Sequence, residues 1–331
     1  MLEHGGNLHA MARQYGIPPG DWLDLSTGIN PQGWLHDNAP SIPVAEWARL
    51  PQTDDGLVAA ACNYYAAEHI LPVAGSQAAL QMLPTLRPPC RVAVVQPGYA
   101  EHAHAWRQAG HRVQAISAWP ENPSPDLNAI DVLVLANPNN PTGHRFTTEH
   151  LLDWHATLAA RGSWLVIDEA FIDATPQDSL ARHATQPGLI VLRSLGKYFG
   201  LAGARVGFVS ATPDLLQSLE ERLGPWPVAG PSRWLARQAL QDHDWQARTT
   251  PALVAASARL AQLLTRHDLP PAGGCALFQW VRTPHAAELH HQLAQHAILI
   301  RHFTNPTSLR FGLPATERDW QRLDDALEHL Q

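Results

Sequence analysis

The chain has almost no lysine. Its 331 residues include 23 Lys plus Arg, and one of these, Lys197, is lysine, which leaves 22 arginines. Guanidinium keeps its proton in proteins, so none of the arginines can serve as an amine nucleophile. Cysteine is scarce as well. Cys62, Cys90 and Cys275 are odd in number and show no CxxC spacing, which points away from a disulfide framework or thiolate zinc site and towards a reducing compartment. No run of 18 apolar residues occurs, and no apolar segment follows a basic start, so a soluble, unexported, cytoplasmic protein is expected. The 19 histidines contain no HExxH, and His102 and His104 stand at i, i+2, off a common helix face; they read as scattered and solvated, with no metal. Basic excess is missing too. A formal net charge of −7 argues against nucleic acid or an anionic membrane as partner, so an anionic small molecule would need a local arginine cluster.

What is present is globular: 45% hydrophobic and 16% charged residues, enough chain for one large domain and a smaller one. From about residue 70 the pattern alternates. Val73–Leu80 passes from a tight turn into a helix, with Ser76 at its start. Residues 91–96, 131–136, 164–167 and 189–192 are continuous apolar runs of the kind found in a parallel sheet covered on both faces. Ligands gather at the carboxyl ends of such strands, where Tyr99, Asn137, Asp168 and Ser194 follow. Helices are expected over 42–70, 213–223, 231–267 and the C-terminal stripe Trp320, Leu323, Leu327 and Leu330. The fold class is α/β, with a large mostly parallel domain over 40–225 and a smaller α+β domain from 1–39 with 226–331.

Lys197 lies in Ser194-Leu-Gly-Lys-Tyr-Phe-Gly-Leu-Ala-Gly-Ala-Arg-Val-Gly207. Four glycines allow close backbone approach to a ligand, Ser194 offers a hydroxyl, and Arg205 offers a fork for phosphate. An amine whose pKa is lowered by burial can attack a carbonyl; the alternative is a leftover surface lysine. The histidine and glycines of His4-Gly5-Gly6-Asn7 form a loop able to meet an anion or a frayed end. Asp168 could hold a cationic heterocycle or cap a helix, Asn137 could donate to a ligand or simply turn the chain, and Arg301 and Arg310 could bind anions or form surface pairs.

The Lys197 stretch, with Asn137-Pro-Asn-Asn-Pro-Thr-Gly143 and Asp168-Glu-Ala-Phe171, resembles the signatures of fold-type I pyridoxal-phosphate enzymes of the aminotransferase class I/II group, over about residues 20–325. The resemblance implies that Lys197 carries the cofactor covalently. Asp168 would face its ring nitrogen, Asn137 its phenolate oxygen and Tyr99 its ring, while Ser76, Gln77, Ser194 and Arg205 hold its phosphate. Two positions depart from many relatives, which have tyrosine where Phe171 and Leu50 stand. The start, His-Gly-Gly-Asn followed by Asp24-Leu-Ser-Thr-Gly-Ile-Asn-Pro31, is similar to the L-threonine-O-3-phosphate decarboxylases of cobalamin synthesis, relatives of histidinol-phosphate aminotransferases. It implies a phosphorylated amino-acid substrate. His4, Gly5, Gly6 and Asn7 would close over its phosphate with Arg301 and Asn30, and Arg310 would take its carboxylate. Lys197 would return a proton to Cα. The group's usual homodimer is implied as well, and an aminotransferase acting on histidinol phosphate is the alternative activity.

Overall fold

The four continuous apolar runs form the middle of one sheet in the computed structural model of the chain, which describes residues 4–117 and 125–329. Strands Arg91–Gln96, Val132–Ala136, Trp164–Asp168 and Leu189–Ser194 run parallel. Parallel strands need crossovers that cover both faces, so a strand such as Val132–Ala136 is buried along its whole length. The full order is Leu71–Val73, Gly207–Ser210, Leu189–Ser194, Trp164–Asp168, Val132–Ala136, Arg91–Gln96, Arg112–Ser117.

Two of these strands leave little trace in the sequence. Arg112–Ser117 is an edge strand, half-buried at best, so no apolar run marks it. Gly207–Ser210 is short, antiparallel to both neighbours, and begins on the last glycine of the Lys197 stretch.

The helix expected over 42–70 is interrupted. Val44–Ala48 and Leu57–Tyr65 are separated by a loop containing Pro51, and Gly56 precedes the second helix at φ 83. The region 231–267 is two helices, Gly230–Gln241 and His243–Arg266, because the Asp242 side chain accepts the Trp245 N–H and starts a new helix. Helix Pro213–Leu223 stands where expected. Helix Glu317–Glu328 buries Trp320, Leu323 and Leu327; Leu330 lies outside the described residues. Helix Leu8–Tyr15, ended by Gly16 in the left-handed conformation, has no counterpart in the sequence reading.

A second, antiparallel sheet is built from the C-terminal third, in the order Arg301–Thr304, Thr307–Gly312, Phe278–Arg282, Gly273–Cys275. Leu23–Asp24 pairs in parallel with Ile298–Leu299, so the N-terminal segment is laid beside that sheet.

Buried charge ties the carboxyl ends of two central strands together. Arg193 Nη1 donates to Glu169 Oε2 at 2.9 Å and Nη2 to Asp173 Oδ1 at 2.6 Å. Ser179 and the Leu180 N–H complete the shell around Glu169, Tyr64 donates to Asp173, and the Arg193 guanidinium lies over the Tyr65 ring. Burial pushes both carboxyl groups up in pKa despite the guanidinium, so the pair depends on it. Arg193 and Glu169 are the chain neighbours of Ser194 and Asp168, so this cluster fixes where those two side chains emerge. Arg193→Met leaves two buried acids with no cation, and the free energy of unfolding should fall by about 3–5 kcal/mol in a denaturant titration. An unchanged midpoint would contradict that role.

Candidate active site

Lys197 sits at the carboxyl end of the parallel sheet on a loop whose carbonyls are held by a neighbouring segment. The N–H of Asn30 donates to the Lys197 carbonyl (3.0 Å), the Asn30 amide to that of Tyr198 (2.9 Å), and the N–H of Trp34 to that of Phe199 (2.8 Å). Gly33 and Gly200 meet with no room for side chains: a Cβ on Gly33 would lie 2.7 Å from the Gly200 Cα. The amine itself donates to the Thr27 carbonyl at 3.1 Å.

One cavity brings together Ser76, Gln77, Tyr99, Asn140, Asp168, Phe171, Ser194, Lys197 and Arg205. One part of it is a narrow cradle. Gly75 stands at φ 72, and a Cβ there would lie 2.7 Å from Arg205 Nη2; a Cβ on Gly207 would lie 2.4 Å from the Ser76 nitrogen. Arg205 itself is left-handed at φ 52, a conformation costing a non-glycine residue about 1–3 kcal/mol. Asp168 is buried: Oδ1 accepts the Ala170 N–H and Oδ2 lies 3.1 Å from His102 Nε2.

A second cavity shares Tyr99, Asn140 and Lys197 with the first and is lined further by His4, Gly5, Thr27, Arg301, His302 and Arg310. Arg310 is buried, and its two terminal nitrogens donate to Asn140 Oδ1 and the Ser26 carbonyl. Its Nε has no hydrogen-bond partner, and no carboxylate stands at bonding distance among the described residues. Burial brings its pKa down to about 10. Lys197 is lowered to about 8, first by burial and then by the Arg310 charge, with Asp168 opposing. A buried guanidinium with no carboxylate at bonding distance, such as Arg310, suits an anionic ligand.

Seven of the eight residues expected around the cofactor line the first cavity: Lys197, Ser76, Gln77, Tyr99, Asp168, Ser194 and Arg205. Asn137 does not. Its amide is spent on both backbone groups of Phe146, accepting the N–H at 3.0 Å and donating to the carbonyl at 3.2 Å. Asn140, three residues on in the same motif, lines that cavity instead. Of the substrate set, His4, Gly5, Arg301 and Arg310 line the second cavity. Gly6 and Asn7 do not: the Gly6 N–H donates to Ser26 Oγ, and the Asn7 carbonyl starts the first helix. Asn30 is also outside it, because its oxygen accepts the Gln32 N–H while its nitrogen holds Tyr198.

His102 corrects the reading of the histidines as solvated. It is buried against Asp168, one helical turn from Tyr99 and so on the same helix face, which was the available signal. Phe171, where many relatives have tyrosine, packs edge-on to Phe278 with Lys197 Nζ 5.3 Å from its ring centre. Leu50, at the other such position, is exposed.

The two asparagines should separate by kinetics on mutation. Asn137→Ala strands two buried backbone groups and should cost about 1–3 kcal/mol of stability. Asn140→Ala removes an acceptor of the buried Arg310 and should cost some stability too, but it should also lower kcat/KM by about 10-fold or more, which Asn137→Ala should not. Denaturant titration with steady-state kinetics checks both, and the reverse kinetic pattern would contradict the placement.

The aminotransferase class I and II family model matches residues 21–330. A threonine-phosphate decarboxylase from Pseudomonas aeruginosa is 58% identical, over 99% of this chain and 97% of its own length. A protein of the same name from a Sinorhizobium species is 41% identical, over 100% and 98%. Among solved structures, histidinol-phosphate aminotransferase from Sinorhizobium meliloti, in complex with pyridoxal-5'-phosphate, superposes with a TM-score of 0.85 at 21% identity, over 98% of this chain and 95% of that one. L-threonine-O-3-phosphate decarboxylase from Porphyromonas gingivalis gives 0.77 at 21% identity, over 92% and 98%. The chain belongs to the aminotransferase class I and II family and has its fold-type I architecture.

Proposed function

We propose that the protein is a pyridoxal-phosphate-dependent carboxy-lyase that releases carbon dioxide from L-threonine O-3-phosphate and forms (R)-1-aminopropan-2-ol O-phosphate for cobalamin biosynthesis. The observation that carries the reading is Arg310: a buried guanidinium without an acid partner, in the cavity that also holds Lys197 and Arg301. The decarboxylases named above match nearly the whole chain, whereas a histidinol-phosphate aminotransferase from Mycobacterium bovis is 34% identical over 66% of it.

The residues present fit pyridoxal phosphate. The glycine-walled cradle of Ser76, Ser194 and Arg205 suits its phosphate, and Asp168, held by His102, suits its ring nitrogen. Tyr99 suits a ring face, Asn140 the phenolate oxygen, and Lys197 its aldehyde carbon. When bound, the cofactor supplies an electron sink for the pair released at Cα.

The chain's own residues do the rest. Arg310 takes the substrate carboxylate, and Arg301 with His4 takes its phosphate; two fixed anion sites set how Cα is presented and thereby which of its bonds breaks. Lys197 has a pKa near 8, which suits an amine that holds a proton at Cα and gives it up close to neutral pH. The Thr27 carbonyl keeps that amine in the cavity.

Three coarser features belong to the same reading. The large unit spans 40–225 and the small one joins 1–39 to 226–331, a division supported by the separation of the seven-stranded from the four-stranded sheet and by the pairing of Leu23–Asp24 with Ile298–Leu299. A homodimer is supported by the exposed apolar side chains Val44, Trp47, Leu50 and Trp226. A cytoplasmic location is consistent with the absence, among the described residues, of a helix long and apolar enough to cross a membrane.

Incubation with O-phospho-L-threonine should release carbon dioxide with no 2-oxoglutarate present. Glutamate formation from histidinol phosphate and 2-oxoglutarate, with no carbon dioxide from phosphothreonine, would establish the aminotransferase instead. Arg310→Met should lower kcat/KM by about 100-fold or more, equivalent to about 3 kcal/mol, while leaving stability level or raised because a buried unpaired charge is removed. A stability loss with unchanged kinetics would make Arg310 structural.

A further inference from the structure

Glu101 is an acid in the wrong place for an anion site. It stands at the start of helix Ala100–Gln108, next to the cavity that Arg301, Arg310 and Lys197 make cationic. An exposed carboxylate there would repel a phosphorylated substrate. Both its oxygens are occupied instead: Oε1 lies 2.8 Å from His4 Nε2, and Oε2 accepts the Gln77 side-chain N–H at 3.2 Å. An ionised carboxylate only accepts, so the Gln77 nitrogen faces Glu101 and its oxygen is left to accept the Tyr99 hydroxyl at 3.1 Å.

This short chain crosses between the two cavities. Gln77 and Tyr99 line the cofactor cavity, Tyr99 and His4 line the substrate cavity, and the His4 ring lies 6.0 Å from that of Tyr99. The N-terminal segment has a second hold on the other side. The Gly6 N–H donates to Ser26 Oγ at 2.8 Å, Gly5 lies so close that a Cβ would sit 2.4 Å from the Ser26 carbonyl oxygen, and that oxygen also accepts from Arg310. Residues 4–6 are thus a strap fastened to the small sheet's side through Ser26 and to the large sheet's side through Glu101. Chain ends stay ordered only where they are tied down, and among the described residues the His4–Glu101 contact is the tie nearest this one.

We propose that Glu101 is a positioning residue for substrate. It fastens the His4 strap over the substrate cavity and, through Gln77, joins that strap to the Tyr99 wall of the cofactor cavity. The inference rests on the decarboxylase reading for its kinetic consequence but not for the strap itself.

The test is a double-mutant cycle on the holoenzyme, read by kinetics with O-phospho-L-threonine and by amide deuterium uptake without substrate. Glu101→Ala should raise KM about 10-fold, change kcat less than about 3-fold, and speed uptake at residues 4–7; Glu101→Gln, which keeps the shape, should do each of these less. His4→Ala, which also removes the ring that meets the phosphate, should raise KM at least as much, and the double variant should be no worse than His4→Ala alone, because Glu101 acts through His4. Multiplying effects on KM, or uptake at residues 4–7 unchanged by Glu101→Ala, overturns the proposal. If wild-type protein does not decarboxylate phosphothreonine, the functional reading fails, and the uptake comparison still decides whether Glu101 fastens the strap.

Discussion

The site is organised by positive charge taken out of water. Lys197 and Arg310 are both lowered in pKa by burial, the Arg310 charge lowers Lys197 further, and the exposed Arg205 adds a smaller push in the same direction. Burying a guanidinium with no carboxylate at bonding distance is costly, so Arg310 persists where it is only because the surrounding fold holds it in place and an anion answers it in use. The same penalty gives the amine its chemistry. A pKa near 8 leaves a usable neutral fraction near physiological pH, which an exposed lysine lacks.

The scaffold meets that cost with contacts remote from any ligand. The Asn30–Trp34 segment captures three successive carbonyls of the lysine loop, and the Gly33–Gly200 contact lets the two backbones touch. The Arg193 cluster locks two strand ends, so that Asp168 and Ser194 leave the sheet at fixed points. His102 then holds one oxygen of Asp168 in place. Asn30, Arg193 and His102 line neither cavity, yet each determines where a cavity residue stands.

Much of this was legible in the sequence, for physical reasons that can be named. A parallel sheet writes continuous apolar runs, and its ligand edge follows from where they stop; that is how Tyr99, Asp168 and Ser194 were found. The lone lysine stood out because arginine fills every other basic position. What failed was side-chain direction. In Asn137-Pro-Asn-Asn140, composition cannot say which amide closes the turn on Phe146 and which faces the cavity. Asn30 is a pocket residue only by the family resemblance, and its amide is consumed by Tyr198 and Gln32. Gly207–Ser210 and Arg112–Ser117 were missed because one is short and begins on glycine and the other is an exposed edge. Pairings distant in sequence, such as Glu101 with His4 or Arg310 with Asn140, leave no local pattern at all.

The central claim is that the chain's single side-chain amine is the cofactor's point of attachment. Borohydride reduction of the holoenzyme, followed by proteolysis and mass spectrometry, tests it directly, since only the N-terminal α-amine can compete. The expected result is a pyridoxyl-phosphate adduct on the peptide containing Lys197 and on no other. An adduct confined to the N-terminus, or none from a protein that turns over substrate, would contradict it.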